Sequence, residues 1–334
     1  MKPGVYLTVD VECSMGGAWG NRDLKPVPPE RAIWGEGEGG QLGIPLITEI
    51  LQRYNLAGTF FIEAFIDEQG YPDQGKGVCD YLGAKGQDVQ LHIHPGHKFY
   101  GRHKQGKDYW LTDQMAELAP QEQRALLEEG RDRLKSWTGK VPAAFRAGNM
   151  GASEETLEQL SAVGIRIDSS YGFPFAGGQC RFSPENPYNG SRWYGDILEM
   201  AFSGFYQPRI PGLRRAKVLD PMGICFEECR EGIRQICGAG ADAVLILHSF
   251  SLFKVSNVRY DGIRPNRIVT RRWERLCRWL AEADEGFGVY TFSELAKAVA
   301  AGEYKARQVA PGKLSGARAV VRKAVQVYNS LYWT

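Results

Sequence analysis

One apolar hexapeptide that ends in a histidine restricts the fold more than any other part of the sequence. Residues 243–248 read Ala-Val-Leu-Ile-Leu-His, with no polar side chain before His248. Runs of this kind are typical of parallel strands that helices cover on both faces. Residues 4–10 show a similar, mainly apolar pattern and end in Asp10. Since strand and helix patterns alternate between these two runs, the sequence predicts one α/β domain with a parallel, barrel-like sheet.

The alternation extends from residue 4 to residue 290. Period-two patterns predict strands, and apolar spacings of three and four predict helices. The predicted strands are 4–10, 58–62, 87–94, 142–146, 165–168, 196–201, 243–248 and 288–290. The predicted helices begin near residues 44, 120, 153, 225 and 266. Long loops are expected at 13–43 and over most of 169–221, where Gly, Pro and aromatic residues are frequent.

Composition limits the classes of function. With 43% hydrophobic and 24% charged residues the chain is an ordinary globular protein, and a net charge of +2 gives no sign of a nucleic-acid binder. No window of about 18 apolar residues predicts a transmembrane helix. Because a buried strand begins at residue 4, we expect no secretory leader and a cytoplasmic location. The seven cysteines, an odd number spread from Cys13 to Cys277, are expected to be reduced thiols.

Histidines are concentrated in one predicted strand. Three of the five lie within residues 88–97, which read Asp-Val-Gln-Leu-His-Ile-His-Pro-Gly-His. The period of a strand places His92 and His94 on the same face, and His97 follows on a loop after Pro95-Gly96. Two imidazoles on one face with a third nearby are typical of half of a divalent-metal site.

Ionisable residues also occur where other predicted strands end. These residues are Asp10, Glu12, Arg146, Asp168 and His248. In barrels of parallel strands, active sites form at the carboxyl ends of the strands. One carboxylate and two imidazoles would hold a metal with a position left for water, as in catalytic zinc sites. The other carboxylate could then act as a base on water, and His248 could act as an acid.

In this order the motifs resemble those of the polysaccharide deacetylase (NodB-homology) family of carbohydrate esterases. The resemblance spans about residues 4–295 and rests on Thr8-Val9-Asp10-Val11-Glu12, Gly58-Thr59-Phe60-Phe61, the histidine cluster, Phe145-Arg146-Ala147-Gly148, Asp168 and Leu247-His248. It implies a distorted (β/α) barrel that removes acetyl groups from N-acetylated sugars with Zn²⁺ or a related divalent metal.

The resemblance also implies a role for each matching residue. Asp10 corresponds to the catalytic base and His248 to the general acid. Glu12 and His92 correspond to metal ligands. Arg146 corresponds to the arginine that orients the base, and Asp168 to the acidic residue paired with that arginine.

Three departures indicate a divergent branch of the family. Val11 separates two acids that are usually adjacent aspartates, and Ser249 stands where an acid is common. The family separates its two metal-binding histidines by three residues, whereas here the second is His94, two positions on, or His97, five positions on. The strand period favours His94, and the loop position keeps His97 open.

The sequence leaves the substrate open. Loop aromatics that could stack on sugar rings, or serve only local packing, are Trp19, Trp34, Tyr171 and Trp193. A cytoplasmic location favours a lipid-linked or nucleotide-linked N-acetylated saccharide over a finished wall polymer. Two other functions fit the pattern: hydrolysis of a cyclic or small amide on the same barrel, and sugar binding without catalysis.

The last residues differ from the preceding barrel. We expect the barrel to occupy residues 1–300 and a basic extension to occupy 301–334. After Glu303 the chain has no acidic residue, and the spacing of its apolar residues predicts an amphipathic helix. Such a helix either packs on the barrel or a partner, or brings residues 305–334 into peripheral contact with an inner membrane.

Overall fold

The structure is a computed structural model that describes residues 1–106, 112–208 and 215–331. Sixteen strands lie within these ranges. In chain order they are β1 Gly4–Val11, β2 Glu36–Gly37, β3 Gly40–Gln41, β4 Thr59–Glu63, β5 Asp88–Ile93, β6 Ala144–Ala147, β7 Ile167–Asp168, β8 Asn189–Tyr194, β9 Ile197–Ala201, β10 Gly204–Tyr206, β11 Ala216–Val218, β12 Ala243–His248, β13 Phe253–Lys254, β14 Arg264–Pro265, β15 Gly288–Val289 and β16 Gln308–Val309.

Helices flank the strands in the described residues. The α-helices are α1 Pro29–Ala32, α2 Ile44–Arg53, α3 Gln74–Ala84, α4 Pro95–Lys104, α5 Pro120–Thr138, α6 Glu154–Ala162, α7 Phe226–Gly238, α8 Arg267–Glu282, α9 Phe292–Ala300 and α10 Gly316–Leu331.

The main sheet is parallel over most of its width. Its strand order is β12-β1-β4-β5-β6-β7-β9-β8-β16, and β15 also pairs with β1. The pairs from β12 to β9 are parallel, whereas β8 and β16 are antiparallel additions at one edge. The central position of β1 explains its apolar sequence, because this strand has a neighbour on each side and packing on each face.

The sheet curls until its two sides meet. Phe202, just beyond β9, forms a bridge with Val244 of β12. The Ser203 amide donates to the Val244 carbonyl, and the Val244 amide donates to the Ser203 hydroxyl at 2.9 Å. These few bonds replace a full ladder, so the predicted (β/α) barrel is confirmed in a distorted form.

Alternation along β1 divides the packing into two layers. Val5, Leu7 and Val9 face the surrounding helices, and Tyr6 faces the barrel interior with aromatic side chains such as Phe292. The interior face of β1 therefore also carries Thr8, Asp10 and, at the rim, Glu12. This alternation directs the acids of the first strand towards the mouth of the barrel.

Two stretches differ from the sequence prediction. Pro95 is the first residue of α4 rather than part of a loop, because proline suits the first position of a helix. Residues 169–221 contain the predicted strand at 196–201, which is β9, and also β8, β10 and β11. These last three were missed because short antiparallel strands carry weak period-two signals.

Helices α3 and α9 were not predicted, whereas the remaining main elements lie close to their predicted positions. The cysteines are free thiols, as expected. Across the described residues, no helix combines the length and the apolar composition that crossing a bilayer requires.

Candidate active site

Two neighbouring strands bring the first acid and the far histidine together. Asp10 of β1 pairs in register with His248 of β12, and both side chains lie at the carboxyl end of the barrel. Glu12 follows two residues later on the same face. His248 Nε2 lies 4.0 Å from Glu12 Oε1. Residues 238 positions apart in the chain therefore share one rim, as the sequence predicts.

Glu12, His92 and His94 form a compact group of metal-binding side chains. Glu12 Oε2 lies 2.5 Å from His94 Nε2 and 3.3 Å from His92 Nε2. One potential ligand atom from each residue lies within 4.8 Å of the others. Both imidazoles are buried, whereas the Glu12 side chain keeps 15% of its surface exposed. This donor set suits a divalent cation with one side open to a further ligand.

Electrostatics in this group oppose the effect of burial. Burial favours a neutral Glu12 carboxyl, but His94 and His92 outweigh it and hold its pKa well below the usual range. Burial likewise favours a neutral His94, yet Asp113 and Glu12 hold its pKa well above the usual range. The carboxylate is therefore ionised, and a cation would displace the proton that His94 carries.

Each imidazole of the group is oriented through its other ring nitrogen. His92 Nδ1 lies 2.8 Å from the Arg146 carbonyl, and His94 Nδ1 lies 2.8 Å from Asp113 Oδ2. Both contacts leave Nε2 directed at Glu12. A histidine that ligates a metal commonly donates its second N–H to a carbonyl or carboxylate in this way. Asp113 was not predicted, because a single aspartate in a loop carries no sequence pattern.

We expect Asp113→Ala to weaken zinc binding about 10–100-fold, because the loss of a carboxylate partner leaves the His94 ring free to turn. Titration against a coloured chelator measures this affinity. Asp196→Ala, which removes an exposed aspartate paired with Arg166, is the matched control and should bind zinc as the unaltered protein does. Equal affinities in the two variants would contradict the orienting role.

Backbone packing around His94 explains the glycine that follows the Arg146 motif. A Cβ atom on Gly148 would lie 2.4 Å from His94 Cγ, so any larger residue there would displace the imidazole. Beyond it, Asn149 has a φ of 53°, a left-handed conformation that costs energy for most residues. Asn149 Nδ2 donates to Asp113 Oδ2 at 2.5 Å, which connects this turn to the metal group.

Arg146 fixes the position of Asp10. Its Nη1 lies 2.5 Å from Asp10 Oδ1 and donates to the Thr8 hydroxyl at 2.9 Å. The guanidinium is fully buried, and Ser169 accepts two further hydrogen bonds from it. Phe61 contributes an aromatic face at 4.0 Å. With so many contacts the arginine has little freedom, and Asp10 is held in one orientation.

His248 is more exposed than the metal-binding side chains Glu12, His92 and His94. It keeps 31% of its surface exposed and stacks on Phe250 with ring centres 4.9 Å apart. It also lines a cavity of about 210 Å³ together with Phe175, Lys217 and Asp220. A substrate group can therefore approach His248 from the side opposite Glu12.

His97 lies outside the metal group. Its ring stacks on His94 at 4.8 Å, and its Nδ1 is 3.4 Å from Glu63 Oε2. Glu63 is buried at the end of β4, where it accepts hydrogen bonds from the Phe65 and His94 amides. The geometry thus favours His94 over His97, the two alternatives left open by the sequence. Glu63 was missed, although its position at the end of an apolar strand was a usable signal.

Asp168 faces away from the catalytic rim. β7 presents Ile167 to the barrel interior, so Asp168 lies on the opposite face and does not contact Arg146 directly. Its side chain accepts two hydrogen bonds from Ser170 and meets Glu199, its register partner on β9. Asp10 makes the direct ion pair with Arg146, but Asp168 also acts on the arginine through its charge: burial lowers the pKa of Arg146, and Asp10 and Asp168 both oppose that effect. The predicted pairing of Asp168 with Arg146 therefore stays a prediction.

Asp168 and Glu199 form a fully buried carboxyl pair. Burial is the largest cause that raises both pKa values, and the neighbouring Asp168 raises that of Glu199 further. The Tyr171 amide donates to Glu199, which fixes one of its oxygens. The pair therefore retains a proton on Glu199, and this carboxylic acid can donate to Asp168.

This pair predicts a pH-dependent stability. Because the pKa of this carboxyl is higher in the folded protein than in the unfolded chain, its protonated form stabilises the fold. This stabilisation is fully present below the pKa of the unfolded chain, about 4.3 for Glu, and is lost as the pH rises through the pKa of the folded protein. Glu199→Gln keeps a hydrogen-bond donor and has no proton to lose. The Tm of this variant should therefore rise relative to the Tm of the unaltered protein as the pH increases. Thermal unfolding at pH 6 and pH 9 measures the gain, at about 2–4 °C per kcal/mol. Exposed Glu158→Gln is the control, and a pH-independent difference for Glu199→Gln would contradict the shared proton.

One of the four predicted sugar-stacking aromatics lies next to the site. The Trp19 ring contacts His103 at 5.1 Å, and a Cβ on Gly96 would meet it at 2.8 Å, so it covers the start of α4. Trp34 packs on Tyr81 of the outer helix α3, and its predicted substrate role stays a prediction.

Tyr171 and Trp193 are misplaced for substrate contact. Tyr171 is fully buried and stacks on Tyr188 at 4.5 Å, so no sugar can reach it. Trp193 is 41% exposed, but it pairs with Leu198 near the start of β9. Because β8 runs antiparallel to the barrel strands, this tryptophan lies at the end of the barrel opposite the catalytic rim.

Comparisons with known proteins agree on the fold. No protein-family model matches the chain, and no curated protein sequence does. A solved structure described as a polysaccharide deacetylase from Mycobacterium smegmatis superimposes with a TM-score of 0.53 at 17% identity, over 94% of this chain and 95% of that one. A 4-alpha-glucanotransferase from Thermococcus litoralis gives a TM-score of 0.52 at 11% identity, over 94% of this chain and 42% of that one. The likeness shows the barrel fold, and since the two proteins carry different names for their activities, function has to be argued from the site.

Proposed function

We propose that this protein is a metal-dependent hydrolase that removes an acetyl group from an N-acetylated sugar, in a divergent branch of the polysaccharide deacetylase family. The observation that carries the proposal is the group of Glu12, His92 and His94 beside Asp10 and His248. A barrel used only for sugar binding has no need for a carboxylate–imidazole group with an oriented base next to it.

The donor set fits a divalent cation, and we propose Zn²⁺, because the set combines two imidazoles with one carboxylate. Glu12 Oε2, His92 Nε2 and His94 Nε2 would hold the ion. When bound, the ion would act as a Lewis acid towards the acetyl carbonyl and the attacking water.

Asp10 is proposed as the general base. Its Oδ1 is fixed by Arg146, which leaves the other oxygen able to accept a proton from water as that water attacks the acetyl carbon. Arg146 is buried and touches no solvent, so its role is to position and stabilise the ionised Asp10.

His248 is proposed as the general acid. Collapse of the tetrahedral intermediate breaks the C–N bond, and the departing nitrogen has to take up a proton to leave as an amine. His248 lies beside the acids, with its Nε2 4.0 Å from Glu12 Oε1, and lines the adjoining cavity of about 210 Å³, where the sugar that carries the amine can lie. Its partial exposure gives it access to protons from solvent between turnovers.

The substrate class follows from this arrangement. An open rim with Trp19 beside it suits a sugar ring, whereas a cyclic amide would need only a small closed pocket. Nucleotide-linked and lipid-linked N-acetylated saccharides in the cytoplasm are the forms that we propose.

Acetate release tests the proposal. Protein reconstituted with Zn²⁺ is incubated with N-acetylglucosamine oligomers and, separately, with cyclic amides such as hydantoin. We expect acetate and free amine in equal amounts from the sugars, and no release with Glu12→Gln. Ring opening of the cyclic amides without acetate release would favour the other hydrolase. No reaction from a metal-loaded protein that still binds the sugars would favour a binding protein.

A further inference from the structure

Helix α10 exposes its apolar face. The apolar side chains of α10 that are exposed to solvent recur at a spacing of three and four residues. They are Ala317, Val320, Val321, Ala324, Val327 and Tyr328, and we call them the α10 stripe. Val320, Val321 and Tyr328 are each at least 60% exposed. Amphipathic helices of globular proteins normally bury this face, so the arrangement is inverted.

The opposite, polar face of α10 holds the helix on the barrel. Arg322 is buried, pairs with the buried carboxylate of Glu228 and also contacts Gln207. Gln326 Nε2 donates to the Gly223 carbonyl at 2.9 Å. Rotation of the helix to bury the stripe would leave Glu228 unpaired in the interior, which is strongly unfavourable. The outward direction of the stripe is therefore fixed by these polar contacts.

Charge around the α10 stripe is positive. Lys313 and Lys323 are exposed before and beside it, and no acidic residue follows Glu303 in the sequence. Apolar side chains bordered by lysines are the combination that lies in the interface of an anionic bilayer, where the lysines reach lipid phosphates. A partner protein that covered the stripe would need acidic side chains of its own at the same border.

The helix also borders the catalytic end of the barrel. Gly223, which accepts from Gln326, lines the same cavity as His248. Next to it a larger, mainly apolar cavity of about 420 Å³ lies between Phe250, Tyr260 and the polar side of α10 at Asn329. Phe250 stacks on His248, so this cavity opens beside the proposed acid.

We propose that the α10 stripe docks on the surface of an anionic lipid membrane and thereby presents the catalytic rim to a lipid-anchored N-acetylated sugar. The docking surface stands on α10 alone, whereas the substrate class rests on the proposed function. The apolar cavity beside Phe250 accommodates the first part of the lipid, and the sugar reaches His248.

Vesicle sedimentation tests the docking. The full chain is mixed with phosphatidylcholine vesicles that contain about 30% phosphatidylglycerol, and with pure phosphatidylcholine vesicles. We expect the chain to bind the anionic vesicles. Binding should be at least about tenfold weaker to pure phosphatidylcholine vesicles, and it should fall by a similar factor in 0.5 M salt or in the variant Val321→Glu. Val141→Glu, at a 52% exposed valine just before β6, is the matched control and should bind as the unaltered protein does.

Two results would overturn the docking. One is equal sedimentation of Val321→Glu and the unaltered chain. The other is a dimer in solution that Val321→Glu dissociates, which would assign the stripe to a second copy of the chain. Glu12→Gln separates docking from catalysis, because it should still bind anionic vesicles. If vesicles bind but acetate is released only from water-soluble sugars, the lipid-anchored substrate is wrong while the hydrolase stands.

Discussion

Asp10→Asn should lower the rate of acetate release by about 10²–10⁴-fold while one metal ion per chain remains bound. Asparagine has the shape of aspartate and its Oδ1 can still accept a hydrogen bond from Arg146. The ion pair is lost, but the hydrogen bonds from Arg146 to Thr8 and Ser169 should persist. What is lost is the oxygen that accepts a proton from water. Rates from acetate assays and metal content from elemental analysis give the two numbers that the prediction needs.

The control for this variant is Asp23→Asn, which removes an exposed aspartate of the loop that follows β1. It should retain full activity and metal content. If Asp10→Asn keeps its rate, Asp10 is not the base. If it loses both its metal and its rate, Asp10 belongs to the metal-binding group and the division of roles between the two acids of β1 is wrong.

The second large effect concerns the metal ligands. We expect His92→Ala to lose zinc affinity well beyond the about 10–100-fold expected for the orienting Asp113, because a ligand atom itself is removed. Glu12→Gln should behave alike, since its ionised carboxylate is replaced by a neutral amide. Calorimetric titration of the metal-stripped protein gives both stoichiometry and affinity.

His97→Ala is the matched control, as another buried histidine of the same segment. Its Nδ1 lies beside Glu63 and not beside Glu12, so this variant should still bind one zinc ion per chain, with at most the moderate loss expected from removing the ring that stacks on His94. Loss of the metal in His97→Ala with retention in His92→Ala would reverse the assignment.

Much of this site follows from strand periodicity. The two-residue repeat places Asp10 and Glu12 on one face of β1, and His92 and His94 on one face of β5. Because parallel strands end at the same edge, residues far apart in the sequence could be predicted to meet there. His248 could be predicted in the same way from the apolar run that precedes it.

The same rule explains why the orientation of the Asp168 side chain could not be predicted. β7 is only two residues long, too short for its own alternation to show which face is interior. In the structure, Ile167 faces the barrel interior. Asp168 therefore faces the surrounding helices and contacts Glu199. A short strand carries too little pattern to fix its register or its face.

Contacts that depend on loops were not predictable. Asp113 reaches His94 from a loop, and Trp193 lies at the far end of the barrel only because β8 reverses direction. The outward stripe of α10 was equally hidden, since the sequence shows an amphipathic helix but not which face is buried. The buried pair of Arg322 and Glu228 decides that, through a contact between residues 94 positions apart. The division of the chain at residue 300 remains a prediction.

The position of a bound metal tests the central claim most directly. Crystals of the protein grown with Zn²⁺ can be measured at the zinc absorption edge, where anomalous scattering locates the ion independently of the protein phases. We predict one peak, about 2.0–2.2 Å from Glu12 Oε2, His92 Nε2 and His94 Nε2, on the side of the rim that Asp10 and His248 face. A peak held by His97 and Glu63 instead, or no peak near Glu12, would contradict the account.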